Sequence, residues 1–315
     1  MTLLYSFFKL IRWPNLVFNT LTQFLFFFCI AVPVTAESIY PTREMILLFY
    51  VLCLSSVLIA AGGYIINDYF DLNIDLVNKP ERMVVDKAIS RRWAIFFHFV
   101  LSMSGILLGF YIGLQNGNWI IGFANIVAVV VLWFYSTYYK KRLLSGNLMI
   151  SALTGWVVMV VYVHVDFHPA GDFFHTPSPA SAQKFLRLAF LYTAFAFIIT
   201  LVREVVKDIE DIEGDRKYGC RTVPIVWGID FAKIFAQTWL LILVVLLGVV
   251  VFYILNFKLW VPSFYSFFFV LLPSVYAFLQ LRKAVGTSDF SKISGLIKLI
   301  MLAGILSMVL YKYFG

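Results

Sequence analysis

Long apolar runs separated by short polar breaks dominate the pattern of residues along this chain. The hydrocarbon core of a bilayer requires about 20 apolar residues per helix. Nine runs meet this requirement, and we predict a membrane-spanning helix for each: residues 14–36, 45–66, 93–113, 118–138, 147–165, 185–202, 234–256, 262–281 and 293–313. No internal repeat or low-complexity linker interrupts them. The pattern therefore predicts an all-α, polytopic membrane protein with a single domain over residues 1–315.

The composition also indicates a membrane protein. Hydrophobic residues make up 62% of the chain and charged residues only 13%, whereas soluble domains carry about 25% charged residues. So few charges cannot cover the surface of a soluble enzyme, a nucleic-acid-binding domain or a disordered chain, and these classes are excluded. The three cysteines, Cys29, Cys53 and Cys220, lie far apart and indicate neither a disulfide framework nor a zinc site.

Lysine and arginine accumulate in alternate loops, and this asymmetry predicts the orientation of the chain. The N-terminus and the loops around residues 79–92, 140–142 and 203–233 carry most of them. Cytoplasmic loops of membrane proteins are enriched in these residues. We therefore predict a multi-pass protein of the cytoplasmic membrane, with these loops in the cytoplasm and the C-terminus outside. Because basic loops explain the net charge of +8, we expect no nucleic acid partner.

Two short segments on the predicted cytoplasmic side contain most of the carboxylates. The first follows the second span and places three side chains on one narrow helical face: Asn67, Asp71 and Asp75. The second follows the sixth span and aligns a similar stripe: Glu204, Asp208, Asp211 and Asp215. Stacked carboxylates repel one another, which indicates that a divalent cation neutralises them. Oxygen ligands of this kind suit Mg²⁺, which completes its shell with water and substrate phosphate.

Basic side chains near the acidic segments are candidates for binding phosphate. Arg82 follows a proline that ends the first segment and turns the chain back toward the membrane. Lys140 lies in the basic stretch at the end of the fourth span, five residues after Tyr135. Arg203 and Lys207 belong to the second segment. Arginine can contact phosphate in a bidentate manner, whereas lysine acts as a point charge.

The acidic segments, residues 67–75 and 208–215, and the stretch 135–140 resemble the signatures of the UbiA-type intramembrane prenyltransferases. The resemblance covers essentially the whole chain, because nine helices with acidic loops after the second and sixth spans form that architecture. It implies a UbiA-like bundle around a central cavity open to membrane lipid, where Mg²⁺ bridges the diphosphate of a polyprenyl donor. It also implies the metal ligands Asn67, Asp71, Asp75, Asp208, Asp211 and Asp215. The implied catalytic residues are Asp68, Asp71, Asp208, Asp211, Lys140 and Tyr135, and the implied diphosphate contacts are Arg82, Lys140, Lys207, Tyr135 and Arg203.

Three stretches are most similar to the digeranylgeranylglyceryl phosphate synthases: residues 61–71, 146–147 and 203–215. This similarity implies transfer of a geranylgeranyl group to the sn-2 hydroxyl of a lipophilic acceptor, geranylgeranylglyceryl phosphate, which produces an ether lipid. Either Asp68 or Glu204 would take the proton of that hydroxyl. An acceptor with its own phosphate requires further basic groups, and the candidates are Arg203, Lys207, Lys141 and Arg142.

Two other functions fit parts of the sequence. The acceptor can instead be an aromatic or quinone-precursor ring or a tetrapyrrole, because Met83 stands where related sequences commonly carry proline, in a loop that can shape the acceptor site. Carboxylates near a membrane also mark the ion paths of transporters. A transporter, however, is expected to carry ionisable groups in the middle of several spans. Lys298 is nearly the only such group here, which favours the enzyme.

Overall fold

The computed structural model describes residues 3–35, 42–78, 80–117, 119–166 and 179–314. Within these residues, nine helices are long and apolar enough to cross a membrane. They are α1 (Trp13–Thr35), α2 (Arg43–Phe70), α3 (Arg91–Asn116), α4 (Ile120–Thr137), α5 (Ser145–Val165), α6 (Ala180–Glu210), α7 (Ile229–Asn256), α8 (Trp260–Lys283) and α9 (Thr287–Phe314). The predicted all-α, nine-span architecture is confirmed, and the protein is an integral, multi-pass membrane protein.

Several spans extend further than the hydropathy pattern predicts, and two of these extensions carry the acidic segments. Helix α2 continues to Phe70 and α6 continues to Glu210, whereas the apolar runs end at residues 66 and 202. The helices continue because backbone hydrogen bonds within a helix do not depend on contact with lipid, which is all that hydropathy detects. The candidate site residues therefore lie on helical turns rather than in a loop.

A π-helical turn occurs in two of the spans, Phe26–Ala31 in α1 and Ser266–Leu271 in α8. Each turn ends two residues before a proline, Pro33 in the first case and Pro273 in the second. Proline has no amide hydrogen, and its ring clashes with the carbonyl four residues earlier. The wider turn relieves this clash without ending the helix, so both spans continue across their prolines.

A polar contact joins α2, α3 and α4 inside the bundle. The Asn125 side chain of α4 donates a hydrogen bond to Ser55 Oγ of α2 at 2.8 Å and another to the Gly105 carbonyl of α3 at 3.1 Å. A Cβ atom at position 105 would lie 2.6 Å from the Ile59 side chain. Glycine therefore permits the close approach of α2 and α3 that this contact requires.

Three apolar clusters form the core around these helices. The first includes the stacked rings of Phe27 and Phe49, whose centroids are 4.0 Å apart. The second joins α6, α7, α8 and α9, with Leu240 and Ile297 fully buried. The third packs the N-terminal helix Leu3–Leu10 against α2. A central cavity lies among α1, α2, α4, α5, α6 and α9.

Candidate active site

The central cavity has a volume of about 300 Å³ and changes in character with depth. Its deeper part is mainly apolar and is lined by Phe18, Ile59, Leu132, Ile150, Val157 and Met301. Its mouth lies at the ends of α2, α4 and α6, where both acidic segments are located. The cavity therefore offers a charged end and an apolar end to a single elongated ligand.

The first acidic segment crosses a break between two helices. Helix α2 ends at Phe70, Asp71 has φ −90° and ψ 0°, and a short helix follows over Leu72–Asn78. Hydrogen bonds continue through the break, because the Asp71 amide donates to the Asn67 carbonyl at 3.0 Å and the Asp75 amide donates to the Asp71 carbonyl at 2.8 Å. The three side chains therefore keep the common face that their spacing predicts.

The second acidic segment repeats this arrangement. Helix α6 ends at Glu210, Asp211 has φ −96° and ψ 10°, and a short helix follows over Ile212–Lys217. The Asp211 amide donates to the Lys207 carbonyl at 2.8 Å, and the Asp215 amide donates to the Asp211 carbonyl at 3.2 Å. An aspartate thus stands at the break in each segment, a feature that periodicity alone does not reveal.

Lys140 connects the end of α4 to the first segment. Its ammonium group pairs with Asp71 Oδ2 and lies 3.4 Å from Asn67 Oδ1, while Asn67 Nδ2 donates to Asp71 Oδ2 at 2.7 Å. Burial lowers the pKa of the Lys140 ammonium, but the Asp71 carboxylate and Tyr135 raise it by more, so this pKa lies above its ordinary value. The side chain therefore carries a full positive charge at neutral pH.

The position of Lys140 depends on a glycine at the start of α5. A Cβ atom at Gly146 would lie 2.8 Å from the Lys140 Cα atom and 2.9 Å from the Tyr139 carbonyl oxygen. Only glycine therefore allows the beginning of α5 to approach the 3₁₀ turn Tyr139–Lys141 this closely. The next residue, Asn147, donates from Nδ2 to Asp208 Oδ2 at 2.8 Å and so joins α5 to the second segment.

The chemistry of the first segment fits a divalent cation. Asp71 is only 1% exposed, and its Oδ1 atom has no hydrogen-bond partner among the described residues. A buried carboxylate oxygen without a partner is costly, and a cation satisfies it. The described residues contain no compact group of three His, Cys, Asp or Glu side chains that forms a complete metal site. The oxygen donors therefore suit Mg²⁺, but they are not gathered into a finished coordination cage.

Mutual repulsion of carboxylates is visible at Asp75. Burial raises the pKa of the Asp75 carboxyl to about 6, the neighbouring Asp71 carboxylate adds to the rise, and Lys140 opposes it. The protonated and ionised forms of the Asp75 carboxyl group are therefore both populated slightly below neutral pH. A cation that binds beside Asp75 would remove both the repulsion and the proton.

The structure brings most of the sequence-predicted residues together at the cavity wall: Asn67, Asp75, Tyr135, Lys140, Arg203, Lys207, Asp208, Asp211 and Asp215. Asp71 lies directly behind them, in contact with Asn67 and Lys140. Glu204 also lines the cavity, and its Oε1 lies 3.3 Å from Arg203 Nη1 and 3.2 Å from Lys207 Nζ.

Other predicted residues are placed differently. Asp68 Oδ1 accepts a hydrogen bond from Arg12 at 2.5 Å, and Arg12 is the member of this pair that lines the cavity. The guanidinium of Arg142 lies over the Tyr138 ring, 4.4 Å from its centroid. The backbone of Arg82 belongs to the 3₁₀ helix Pro80–Arg82, but its side chain lies outside the part of the chain that the structure describes.

Sequence reasoning missed several polar residues of the cavity wall: Arg12, Asn15 and Asn78. Arg12 precedes the first apolar run and counted only as a basic flank of a span. The asparagines carry no charge and form no repeated spacing, so the sequence gives no signal that separates them from other polar residues. The sequence marks Lys298 as a charged residue within an apolar run, but only the structure shows that it lines the cavity.

Comparison with known proteins agrees with this arrangement. The model of the UbiA prenyltransferase family matches residues 13–311. The digeranylgeranylglyceryl phosphate synthase of Methanothermobacter thermautotrophicus is 35% identical over 196 residues, which cover 62% of each chain. That of Sulfolobus acidocaldarius is 31% identical over 247 residues, which cover 78% of this chain and 76% of that one. The match to the first relative thus spans less than two thirds of its length.

Solved structures share the fold across nearly the whole chain. A structure described as that of digeranylgeranylglyceryl phosphate synthase in membranes has a TM-score of 0.64 and 24% identity, and covers 98% of this chain and 99% of that one. A UbiA homologue from Archaeoglobus fulgidus bound to DMAPP and Mg²⁺ has a TM-score of 0.57 and 15% identity, and covers 96% of this chain and 99% of that one. Identities this low establish a common fold alone.

Proposed function

The chain belongs to the UbiA prenyltransferase family, and from this premise we propose that it transfers a geranylgeranyl group from its diphosphate to a lipophilic acceptor. The acceptor that we propose is geranylgeranylglyceryl phosphate, which reacts through its sn-2 hydroxyl to give an ether lipid. The names of the relatives from M. thermautotrophicus and S. acidocaldarius support this choice of donor and acceptor. The charged mouth of the cavity would face the cytoplasm, as the distribution of Lys and Arg predicts.

The observation that carries the proposal is the shape of the cavity. Two acidic segments and the cations beside them meet at its mouth, and an apolar chamber continues from there between the spans. A prenyl diphosphate has the same division into a polyanionic head and a long apolar chain. Its head would bind at the mouth and its chain would fill the apolar chamber, with the open side in contact with membrane lipid.

Mg²⁺ would be held by Asn67, Asp71 and Asp75 in the first segment and by Asp208, Asp211 and Asp215 in the second. When bound, it neutralises the charge that develops on the diphosphate leaving group. The same group would be bound by the basic and hydroxyl side chains of the mouth: Arg82, Tyr135, Lys140 and Lys207. Fixed positive charges in this partly buried place stabilise an anion more strongly than water does.

The reaction exchanges one carbon–oxygen bond for another. The bond between the allylic carbon and the diphosphate oxygen breaks, and its electron pair leaves with the diphosphate. The acceptor hydroxyl oxygen supplies the pair for the new ether bond, and its proton passes to a carboxylate. Both carboxylates are ion-paired, Asp68 with Arg12 and Glu204 with Arg203 and Lys207, but only Glu204 lines the cavity, so Glu204 is the better placed of the two. Apolar walls such as Leu132 would keep water from the allylic cation.

The test uses the purified full-length chain in detergent with geranylgeranyl diphosphate, Mg²⁺ and a panel of acceptors. We expect release of diphosphate and an ether product with geranylgeranylglyceryl phosphate, and neither with the Asp71→Ala variant. Efficient prenylation of an aromatic acid, with the glycerol phosphate ignored, would reject the proposed acceptor. If no acceptor supports Mg²⁺-dependent diphosphate release, the transferase proposal fails, and ion flux into proteoliposomes then tests transport.

A further inference from the structure

A second group of cations lies in the cavity away from the carboxylates of the first segment. Lys298 belongs to α9, eleven residues after its first residue, and lines the cavity within the span. Its ammonium group donates to Asn15 Oδ1 of α1 at 3.3 Å and lies 5.1 Å from the centroid of the Phe18 ring. Among the described residues, no carboxylate lies within ion-pair distance of Lys298. A charge at this depth is costly and indicates a function.

Arg203 of α6 belongs to the same group. It lines the same cavity as Lys298. Its Nη1 atom contacts Glu204, but its Nε atom is buried and has no hydrogen-bond partner among the described residues. Asn15 completes the group, since its Oδ1 atom accepts the hydrogen bond from Lys298 and it lines the same cavity.

The charges in this group do not balance. Glu204 pairs with Arg203 and also with Lys207, whereas Lys298 adds a positive charge that no carboxylate of the described residues approaches within ion-pair distance. Lys140 differs, because Asp71 neutralises it directly. Two cations on the wall of one cavity, one of them with an unsatisfied N–H group, are stabilised when an anion binds beside them.

We propose that Lys298, Arg203 and Asn15 form a binding site for the phosphate group of the acceptor, distinct from the site of the donor diphosphate at the mouth. This proposal rests on the function proposed above. Arg203 precedes Asp208 by five residues on α6, a rise of about 7.5 Å at 1.5 Å per residue. The acceptor phosphate would therefore lie deeper than Asp208, Asp211 and Asp215, with its glycerol hydroxyl between this site and the donor head. Arginine and lysine together suit a phosphate monoester, which offers several acceptor oxygens.

The first test compares Lys298→Gln with wild type in steady-state kinetics. We expect the KM for geranylgeranylglyceryl phosphate to rise about tenfold to hundredfold, the range for a lost hydrogen bond to a charged group. The KM for geranylgeranyl diphosphate should change by less than about twofold. Lys298→Arg keeps the charge and should retain most of the acceptor affinity. Lys292→Gln, an exposed position on the same helix, serves as the matched control and should behave as wild type.

A second acceptor separates a phosphate site from a merely structural role. Geranylgeranylglycerol has the same chain and hydroxyl but no phosphate. Wild type should prefer the phosphorylated acceptor, and Lys298→Gln should lose most of that preference while its KM for the alcohol stays nearly unchanged. An equal rise in KM for both acceptors, or a rise for the donor instead, would overturn the proposal. A wild-type protein that prenylates neither acceptor contradicts the proposed function itself.

A binding measurement distinguishes failure of the proposed phosphate site from failure of the proposed function. Geranylgeranylglyceryl phosphate, added without donor or Mg²⁺, should raise the thermal unfolding temperature of detergent-solubilised wild type more than geranylgeranylglycerol does, because a bound ligand stabilises the folded state. Lys298→Gln should abolish the difference between the two compounds, whereas Lys292→Gln should keep it. Equal shifts with both compounds in wild type would reject a phosphate site, whether or not prenyl transfer occurs.

Discussion

The side chain of Asn78 is hydrogen-bonded to the backbone of Gly214, although the two residues are 136 positions apart in sequence. Asn78 Oδ1 accepts a hydrogen bond from the Gly214 amide at 2.8 Å, and its Nδ2 donates to the Asp211 carbonyl at 3.0 Å. Asn78 ends the short helix that carries Asp75 of the first acidic segment, and Gly214 belongs to the short helix that carries Asp215 of the second. This contact therefore fixes the separation of the two carboxylate sets across the mouth of the cavity.

Alanine at position 214 should disrupt this contact. Its Cβ atom would lie 2.4 Å from Asn78 Oδ1, so the amide group would have to move and release Asp211 as well. We expect Gly214→Ala to lower kcat about tenfold or more and to raise the Mg²⁺ concentration required, because positioning of ligands and substrate would be lost. Gly295→Ala, where nothing lies within 4 Å of the added atom, is the control. Equal activity of the two variants would show that the contact has no role in the site.

Replacement of an aspartate in either acidic segment should remove activity. Asp71→Ala and Asp208→Ala should each reduce transfer more than about a hundredfold, since both are proposed Mg²⁺ ligands, while membrane insertion stays normal. EDTA should stop the wild-type protein, and added Mg²⁺ should restore it. Asp230→Ala, at an exposed position at the start of α7, controls for loss of charge. Full activity of either site variant at saturating Mg²⁺ would contradict the metal assignment.

The requirement for Mg²⁺ should depend on pH through Asp75. Its pKa of about 6 means that the carboxyl is mostly ionised above pH 6 and mostly protonated below it. Only the ionised form binds a metal, so the Mg²⁺ concentration for half-maximal activity should rise up to about tenfold per pH unit as pH falls below 6. An aspartate with its usual pKa near 3.9 would show almost no change in this range. Asp75→Asn should abolish the pH dependence, and its persistence in that variant would assign the proton to another group.

Asn147 should act through Asp208. Its Nδ2 donates to Asp208 Oδ2 at 2.8 Å, and this bond orients the carboxylate within the second segment. We expect Asn147→Leu to raise the Mg²⁺ requirement about 10- to 100-fold, the usual effect of removing a group that orients a metal ligand. Asn147→Gln, which can still donate, should recover part of the affinity. If both variants bind Mg²⁺ as wild type does, Asp208 does not need this orientation.

Cysteine labelling tests the orientation in the membrane. Ser90 and Ser288 are exposed at the start of α3 and α9, on the side of the acidic segments, and Asn256 is exposed at the end of α7. The native cysteines are buried but should first be replaced by alanine. An impermeant thiol reagent should reach cysteine at 256 from outside the cell, and it should reach cysteine at 90 or 288 only after lysis. The reverse pattern would invert the orientation that the basic loops predict.

Local patterns explain why parts of the site were predictable. Four-residue spacing places Asn67, Asp71 and Asp75 on one face in any helix, so their alignment is a property of the sequence. The same geometry does not identify the partner of Asp68, which at 100° per residue lies only about 20° from Asp75 around the helix axis. In the structure Asp68 pairs with Arg12. Which partner stands in that direction depends on α1, which no pattern within the segment encodes.

The sequence by itself determined the nine spans, the membrane environment and the two acidic faces, because hydropathy and helical periodicity act over neighbouring residues. Only the tertiary structure decided which distant groups meet. Lys140 pairs with Asp71 across 69 positions, Asn78 with Gly214 across 136, and Lys298 with Asn15 across 283. Such contacts depend on how the helices pack and cross. Small shifts in packing would separate them without any change in the local pattern of the chain.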